Sequence, residues 1–426
     1  MIASGQPSPP VGIISATVLG AGLALYPSTQ LRAGGLPVGP GEVLLLIWMG
    51  MAALRVGLLG EAVSNRALRR VHLFWLAMVV AQGIGMILGL VFEPFQDFKG
   101  IVHDVLAYAL LISLGTLLSL DLVSEARRRR VIWTVVVVGS ISLTLQMGSI
   151  FGVLIPPGVE PYWYNRFRGW SLDPNVLGFF NFFVIILAVY LAETSVRPKS
   201  AVFALVLATP AVIAGILSRS DTFVVASTMA GSVYLIVKSV TWLETVEMGP
   251  SLRGATVVLG LLAFPLATLS LAPFWSAAAE NVAQRANDVA EKDNQAATRF
   301  GLWREAINKG SEAWMVGYGP GPHLTSKSYK RPPPDKFEAH NTALDIFTQG
   351  GILALLAFIL LCATTFVSVW RAKMAALAAL IAGAVIFSMF HFIVRHPNFW
   401  FCIVLCLLQS EMAPRTALKT GNMAPQ

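Results

Sequence analysis

The run NVLGFFNFFVIILAVYLA, residues 175–192, carries no charged side chain over the length of a membrane crossing. A helix needs about 20 apolar residues to cross the hydrocarbon core of a bilayer. Eleven more long, mainly apolar runs lie along the chain, at about 12–30, 42–58, 71–92, 101–122, 131–154, 200–217, 222–242, 255–275, 342–369, 374–392 and 397–411. The sequence therefore predicts an all-α, polytopic membrane protein with about 12 transmembrane helices.

The composition excludes other classes of protein. Hydrophobic residues make up 55% of the 426 residues and charged residues only 13%, whereas soluble domains carry about 25% charged residues. So few charges cannot cover a water-soluble surface of this size, and the high content of Leu, Val, Ile and Phe excludes intrinsic disorder. A transmembrane β-barrel is excluded because its strands form short alternating segments, whereas these runs are long and continuous.

The basic residues of the short loops predict the orientation of the chain in the membrane. With an even number of crossings, fifteen of them fall on the side of both termini: Arg66, Arg69, Arg70, Arg127 to Arg130, Arg197, Lys199, Lys238, Arg253, Arg371, Lys373, Arg415 and Lys419. Six fall on the other side: Arg32, Lys99, Arg166, Arg168, Arg219 and Arg395. The positive-inside rule then places both termini in the cytoplasm. Anchoring to anionic membrane lipids explains the Arg127–Arg130 block, so we expect no nucleic-acid partner.

One long hydrophilic segment, residues 276–341, interrupts the apolar pattern and falls on the outer side. It divides the chain into helices 1–9 in residues 1–275, a loop region over 276–341, and helices 10–12 with a cytoplasmic tail in 342–426. Residues 277–308 are rich in Ala, Glu, Gln and Arg and predict a helix, which the glycines and prolines of residues 317–322 must end. Trp303 and Trp314 suit an amphipathic helix lying at the membrane surface.

Several motifs are absent from the sequence. It contains no Gly-x-x-x-x-Gly-Lys loop for nucleotide phosphates, no Asp-x-Asp for a metal-held nucleotide sugar, and no Cys or His spacing typical of zinc. We therefore expect no metal and no cofactor. Acidic residues lie near the ends of the crossings rather than midway, which disfavours an ion-coupled transporter: Glu42, Asp104, Asp121, Glu193 and Asp221.

Five arginines on the outer side are candidates for anion binding: Arg166, Arg168, Arg219, Arg299 and Arg304. The positive-inside rule disfavours them there, and guanidinium binds phosphate in a bidentate manner. Each has a structural alternative when taken alone. Arg219 suits snorkelling or a pair with Asp221, Arg166 and Arg168 suit headgroup anchoring, and Arg299 and Arg304 suit helix ion pairs with Glu305 and Glu291. Their shared outer position favours binding.

His340 and Asn341 open the tenth crossing. Asn341 is well placed as a helix N-cap. An imidazole with an ordinary pKa of about 6.5 suits a general base for a sugar hydroxyl, although a lone His is more often a structural residue. Asp173-Pro174-Asn175 has a similar interpretation as a turn and N-cap before the sixth crossing. His391, Arg395 and His396 lie at the last outer turn, where the sequence favours an anchoring role.

Together these stretches resemble the O-antigen ligase and polymerase superfamily of bacterial inner-membrane proteins. The resemblance covers roughly residues 160–355 and rests on the order and spacing of short motifs, each weak alone. These motifs are Arg166-Phe167-Arg168-Gly169, Asp173-Pro174-Asn175-Val176-Leu177-Gly178, Leu217-Ser218-Arg219-Ser220, Thr298-Arg299-Phe300-Gly301-Leu302-Trp303, Gly317-Tyr318-Gly319-Pro320 and His340-Asn341 before Gly350-Gly351.

The resemblance implies a metal-independent, inverting glycosyltransferase with its active site facing the periplasm. The donor would be a glycan on undecaprenyl pyrophosphate, and for a ligase the acceptor would be a sugar hydroxyl of lipid A–core. The family's essential arginines match Arg219 and Arg299, and its essential histidine matches His340. Here Ser220-Asp221 follows Arg219, where relatives often have Gly or Thr, so an acid is placed to neutralise part of the charge on Arg219.

The remaining substrate-binding candidates follow from this implied function. Arg166, Arg168 and Arg304 would hold phosphate or glycan, Asn341 would also contact the substrate, and Tyr318, Trp303 or Trp314 would stack on sugars. A polymerase would use the same donor with a second lipid-linked repeat as acceptor, so the catalytic residues do not separate it from a ligase. A transporter of lipid-linked glycan or of an anionic solute is the alternative from another class. A structural assembly protein is a third.

Overall fold

The computed structural model describes residues 10–32, 38–59, 65–93, 97–245, 295–325 and 336–412. These ranges hold a short antiparallel hairpin of strands β1 (Tyr162–Trp163) and β2 (Arg166–Phe167). The α-helices are α1 (Pro10–Leu25), α2 (Pro40–Leu59), α3 (Arg66–Phe92), α4 (Phe98–Asp121), α5 (Glu125–Gly148), α6 (Pro174–Glu193), α7 (Pro198–Leu217), α8 (Asp221–Thr245), α9 (Gln295–Glu312), α10 (Thr342–Arg371), α11 (Ala375–Ser388) and α12 (Pro397–Met412).

Eight of these helices, α2 to α8 and α10, are long and apolar enough to cross a membrane, and α1 and α11 are shorter apolar helices. The chain is thus an all-α, polytopic membrane protein, as its sequence predicts. The predicted run at 255–275 lies outside the described residues. The total of 12 crossings and the division of the chain at residues 275 and 341 therefore stay predictions.

The polar turns between the crossings gather at two ends of the bundle. We call the end where α6, α8 and α10 begin the His340 end, and the end where α3, α5 and α7 begin the Arg127 end. At the Arg127 end, the buried carboxylate of Asp121 accepts hydrogen bonds from Arg55 (2.6 Å), Arg127 (2.5 Å) and the indole of Trp48 (3.2 Å). These contacts neutralise the guanidinium of Arg55, which the bundle buries.

Helix α12 lies in the core of the bundle and is buried along nearly its whole length. The ring of Trp400 stacks on Trp75 of α3 with 4.7 Å between their centroids. The indole N–H of Trp400 donates to the Val394 carbonyl at 2.8 Å. This packing fixes the turn between α11 and α12, which carries His391, Arg395 and His396 at the His340 end.

Helix α9 lies beside the first half of α10 and runs in the same direction. The contacts that advance along both helices are Trp303 Nε1 to the Ala339 carbonyl (3.0 Å), Gly310 to the Phe347 ring, and Ile352 N to the Met315 carbonyl (2.8 Å). Burial of the apolar inner face of α9 drives this packing. The structure thus corrects the prediction of a surface helix. Trp303 is turned inward, while Trp314 stays 85% exposed.

Residues 317–321 insert where α10 is broken. Gly351 has a left-handed φ of +62°, and its neighbour Ile352 bonds to Met315 instead of continuing the helix. The amides of Tyr318 and Gly319 donate to the carbonyls of Thr348 and Gln349 at 2.9 and 2.8 Å. Non-helical backbone inside a membrane bundle must find its partners in the protein, and the loop and the broken helix satisfy each other.

Glycines on α3 let this loop approach. A side chain at Gly85 would place its Cβ 2.7 Å from the Gly319 nitrogen, and one at Gly89 would overlap the Tyr318 carbonyl oxygen. Gly85 lies about 10 Å from the end of α3 at a rise of 1.5 Å per residue. The loop therefore enters well below the helix end.

Substituting Gly89 with Ala should destabilise the docked loop, whereas the same change at Gly83 should not. Both glycines lie on α3, but a Cβ at Gly83 meets nothing within 4 Å. Overpacking of this kind costs about 1–3 kcal/mol, so we expect a lower melting temperature for Gly89→Ala in detergent. Equal melting temperatures for the two variants would show that the loop does not pack here.

Candidate active site

Arg166, on strand β2, joins three of the sequence motifs. Its Nε donates to the Ser218 carbonyl at 3.2 Å, and its Nη2 donates to Asn175 Oδ1 at 2.6 Å. The Ser220 hydroxyl donates to the same Asn175 oxygen at 2.8 Å. Arg166 and Asn175 thus fix the residues on both sides of Arg219.

Arg219 occupies the three-residue turn between α7 and α8 and is exposed. Its φ of +47° is unusual for a residue with a side chain. Ser218 and Ser220, its two neighbours, are both buried and hydrogen-bonded. The turn therefore presents one guanidinium outward from an otherwise anchored segment, as expected for a turn too short to leave the helix ends.

Arg299 comes to the same region on α9. It lies one turn before Trp303, whose Nε1 donates to the carbonyl of Ala339, the residue next to His340. Burial lowers the pKa of His340, and the charge of Arg299 adds to this effect. It also adds to burial in lowering the pKa of Arg166. Arg299 of α9 is thus linked by its charge both to Arg166 of the hairpin and to His340 at the start of α10, and we call these three residues the cluster.

His340 has a left-handed backbone with φ +52° and keeps access to solvent. Desolvation by the surrounding protein, reinforced by the charge of Arg299, lowers its pKa, while Glu338 opposes the shift. Its neighbour Asn341 is the N-cap of α10, accepting from the amides of Ala343 and Leu344 at 3.1 and 3.3 Å. The N-cap prediction for Asn341 is confirmed, and His340 is left to face outward in its neutral form at neutral pH.

His391 is linked by charge to this cluster, although sequence reasoning assigned it to anchoring. Burial lowers its pKa to about 3; the charges of Arg299, His340 and His396 add to the shift, and that of Asp173 opposes it. Its Nε2 is buried without a hydrogen-bond partner among the described residues. The His391 carbonyl accepts from the Thr342 hydroxyl of α10. The only sequence signal that could have linked His391 to this cluster is its predicted position on the outer side. A single His forms no motif that would indicate such a role.

Three residues that the sequence predicts to bind substrate have no contact with the cluster among the described residues. Arg168 bonds to the carboxylate of Glu160 at 2.7 Å and to its carbonyl at 2.9 Å, which closes the β-hairpin loop. Arg304 is exposed on α9. Tyr318 is buried in the docked loop, with its ring 5.6 Å from that of His323 and 5.2 Å from Lys309 Nζ. Their binding roles stay predictions.

Two groups of ion pairs hold segments of the His340 end around the cluster. Arg395 bridges Asp104 of α4 and Glu338, two residues before His340. This bridge gives Arg395 a structural role inside the protein. Glu93, at the end of α3, contacts His323 (3.1 Å) and Lys336 (2.5 Å). Burial alone would raise the pKa of Glu93, but the hydrogen bonds and charges of His323 and Lys336 lower it to about 2.

Within the described ranges, His, Cys, Asp and Glu side chains form no group of three or more that would hold a metal ion. The residues that converge are instead cations and imidazoles. Such a set is suited to bind a substrate anion and to accept a proton, and cations next to a neutral base can stabilise negative charge on a leaving group.

The fold and this cluster define a polytopic helical membrane protein with a cationic, imidazole-containing site at one end. The family model of O-antigen ligases matches residues 202–359, which include Arg219, Arg299 and His340. The resemblance predicted from the motifs is thereby confirmed over this segment of the chain. No curated protein and no solved structure matches the chain.

We expect the protein to lose stability below about pH 6.5, the ordinary pKa of histidine. Burial lowers the pKa of His391 to about 3 and that of His396 to about 4. Between these values and pH 6.5 the unfolded chain binds more protons than the folded one, so stability falls as the pH falls. At pH 5 the loss is about 1–2 kcal/mol for each histidine, measurable as a lower melting temperature than at pH 7.5.

The control is the double variant His391→Gln/His396→Gln, which lacks both titrating groups. Its melting temperature should change less between pH 7.5 and pH 5 than that of the parent protein. An equal change in both proteins would mean that other groups cause the acid sensitivity.

Proposed function

We propose that this protein is an O-antigen ligase of the bacterial inner membrane, acting at the periplasmic face. It transfers a glycan from undecaprenyl pyrophosphate to a sugar hydroxyl of lipid A–core. The observation that carries the proposal is the cluster of Arg166, Arg299 and His340 beside the Arg219 turn. The family match over residues 202–359 supports the same class of reaction.

The cations act on the donor. In the reaction, the bond between the anomeric carbon and the phosphate oxygen breaks, and undecaprenyl pyrophosphate leaves with the bonding electrons. Arg219 and Arg299 stabilise the charge that develops on this oxygen, and Arg166, partly desolvated, holds the second phosphate. The pyrophosphate is already an activated leaving group, so this chemistry requires no metal ion.

His340 acts on the acceptor. Its lowered pKa keeps the imidazole neutral at neutral pH, and a neutral imidazole takes the proton from the acceptor hydroxyl as its oxygen attacks the anomeric carbon. A single displacement on one face of the sugar inverts the configuration at the anomeric carbon.

The test uses purified protein with a lipid-pyrophosphate glycan donor in EDTA. Lipid A–core and a second lipid-linked repeat are offered as separate acceptors. We expect transfer to lipid A–core, with a loss of at least about 100-fold for Arg299→Ala and for His340→Ala. The matched control is Arg32→Ala, which removes an arginine at the same end that is paired with Glu42 at 2.7 Å.

The outcome separates the alternative functions. Transfer only to the lipid-linked repeat would identify a polymerase with the same donor chemistry. No transfer to either acceptor by folded protein would reject the enzyme and favour a transporter, which should bind donor and tolerate His340→Ala. Full activity of both site variants would reject the assigned residues.

The transfer rate should fall on the acid side with a midpoint below about pH 6.5, the ordinary pKa of histidine. The base works only when neutral, and its pKa is shifted downward. The measurement is the pH dependence of kcat from pH 4.5 to 8.5. Residual activity of His340→Ala should lack this acid limb, and an unchanged limb in that variant would assign the base elsewhere.

A further inference from the structure

Asp345, one turn inside α10, makes contacts that reach back beyond the start of its own helix. Its Oδ1 accepts from the Ala339 amide at 2.6 Å, and its Oδ2 accepts from the Asn341 amide at 3.2 Å. These two amides lie on either side of His340. The buried side chain of Asp345, 3% exposed, is therefore bonded to the backbone on both sides of His340, the general base of the proposed function.

Helix capping does not account for both of these bonds. Asn341 already caps α10, and a carboxylate that reaches back in a capping box bonds only the amide of the N-cap residue. The bond to Ala339 lies two residues before the cap and satisfies no group of the helix. Together with the bond to Asn341, it closes a hydrogen-bonded ring that contains the backbone of His340.

The backbone of His340 needs such a restraint. Left-handed backbone costs a non-glycine residue about 1–2 kcal/mol, so an unrestrained chain would relax to another conformation and swing the imidazole away. The Trp303 indole also donates to the Ala339 carbonyl, and Arg395 pairs with Glu338. Every neighbour of His340 is fixed, and the His340 side chain alone is left exposed.

We propose that Asp345 is a positioning residue that sets the imidazole of His340 against Arg299 and the acceptor hydroxyl. The inference rests on the proposed function for its catalytic meaning, while the geometric restraint itself is independent of it. Trp303 completes the restraint, because it connects the segment to the helix that carries Arg299. A shift of about 1 Å in a reacting group costs on the order of 100-fold in rate.

The kinetic test is the variant Asp345→Asn, whose amide turns a donor toward one of the two backbone N–H groups. We expect kcat to fall by about 10- to 100-fold with the KM for the lipid donor unchanged. In a His340→Ala background the same change should have no further effect on the rate. An equal loss of rate in both backgrounds would mean that Asp345 acts only on the structure.

The matched control is Asp97→Asn, since Asp97 also accepts a backbone amide at the start of a crossing, from Gly100 at 2.9 Å. It should leave kcat unchanged. If Asp345→Asn folds poorly, Trp303→Phe removes the restraint from the other side by deleting its hydrogen bond to Ala339. It should lower kcat in the same way, and unaltered kcat in Trp303→Phe would count against the proposal.

A second readout needs no activity. His340→Cys introduces an exposed thiol into a chain whose three native cysteines, Cys362, Cys402 and Cys406, are buried. Adding Asp345→Asn should change the rate of maleimide labelling at position 340 by several-fold, and adding Asp97→Asn should not. Unchanged labelling overturns the inference. Absence of glycan transfer by the wild type overturns the proposed function alone, so the two failures are distinguishable.

Discussion

The insertion of the 317–319 backbone into the broken helix α10 is the contact on which the other features of the His340 end depend. Inside a membrane bundle, neither a loop nor a helix break finds water for its amides and carbonyls, so each is stable only when it satisfies the other. The bonds from Tyr318 and Gly319 to Thr348 and Gln349 meet this requirement. They also bring α9 down alongside α10, which sets the distance between Arg299 and His340.

A second layer of polar contacts ties this docked segment to the rest of the bundle. Gln349 donates to Asp104 at 3.0 Å and accepts from Gln82 and Tyr108 at 3.0 and 2.5 Å, which joins the break to α3 and α4. Asp104 also receives Arg395 from the turn before α12. Buried polar groups that satisfy one another in this way favour a single arrangement of the helices, because none of them would find an equivalent partner in another arrangement. Rigid support of this kind is what a site needs to hold charged groups apart from lipid and close to a substrate.

The sequence predicts the eight helices that are long and apolar enough to cross a membrane, because a long apolar run has few other ways to satisfy its backbone in a bilayer. Outer-side arginines, Arg219 and Arg299 among them, also stand out against the positive-inside pattern, while it is the resemblance to the family that adds His340 to them. The contacts around His340 could not be predicted from the sequence in this way. Asp345 looks like an ordinary residue of the first helical turn, and its bonds to Ala339 and Asn341 depend on a backbone bend that no local pattern encodes. His391 and Arg395 likewise meet their partners only through tertiary packing, and the direction of α9 follows from a helix break marked only by Gly350-Gly351.

The bridge from Arg395 to Asp104 and Glu338 also has a consequence for the order of events during synthesis. Arg395 leaves the ribosome only after α10 and α11, so the chain that has delivered every proposed catalytic residue still lacks the cation that pairs with the buried Asp104 and the half-buried Glu338. Until then, Asp104 and Glu338 oppose the closing of the site by their own repulsion and desolvation. A nascent chain is thereby kept from presenting a finished site to lipid-linked sugars before the bundle around it has been assembled.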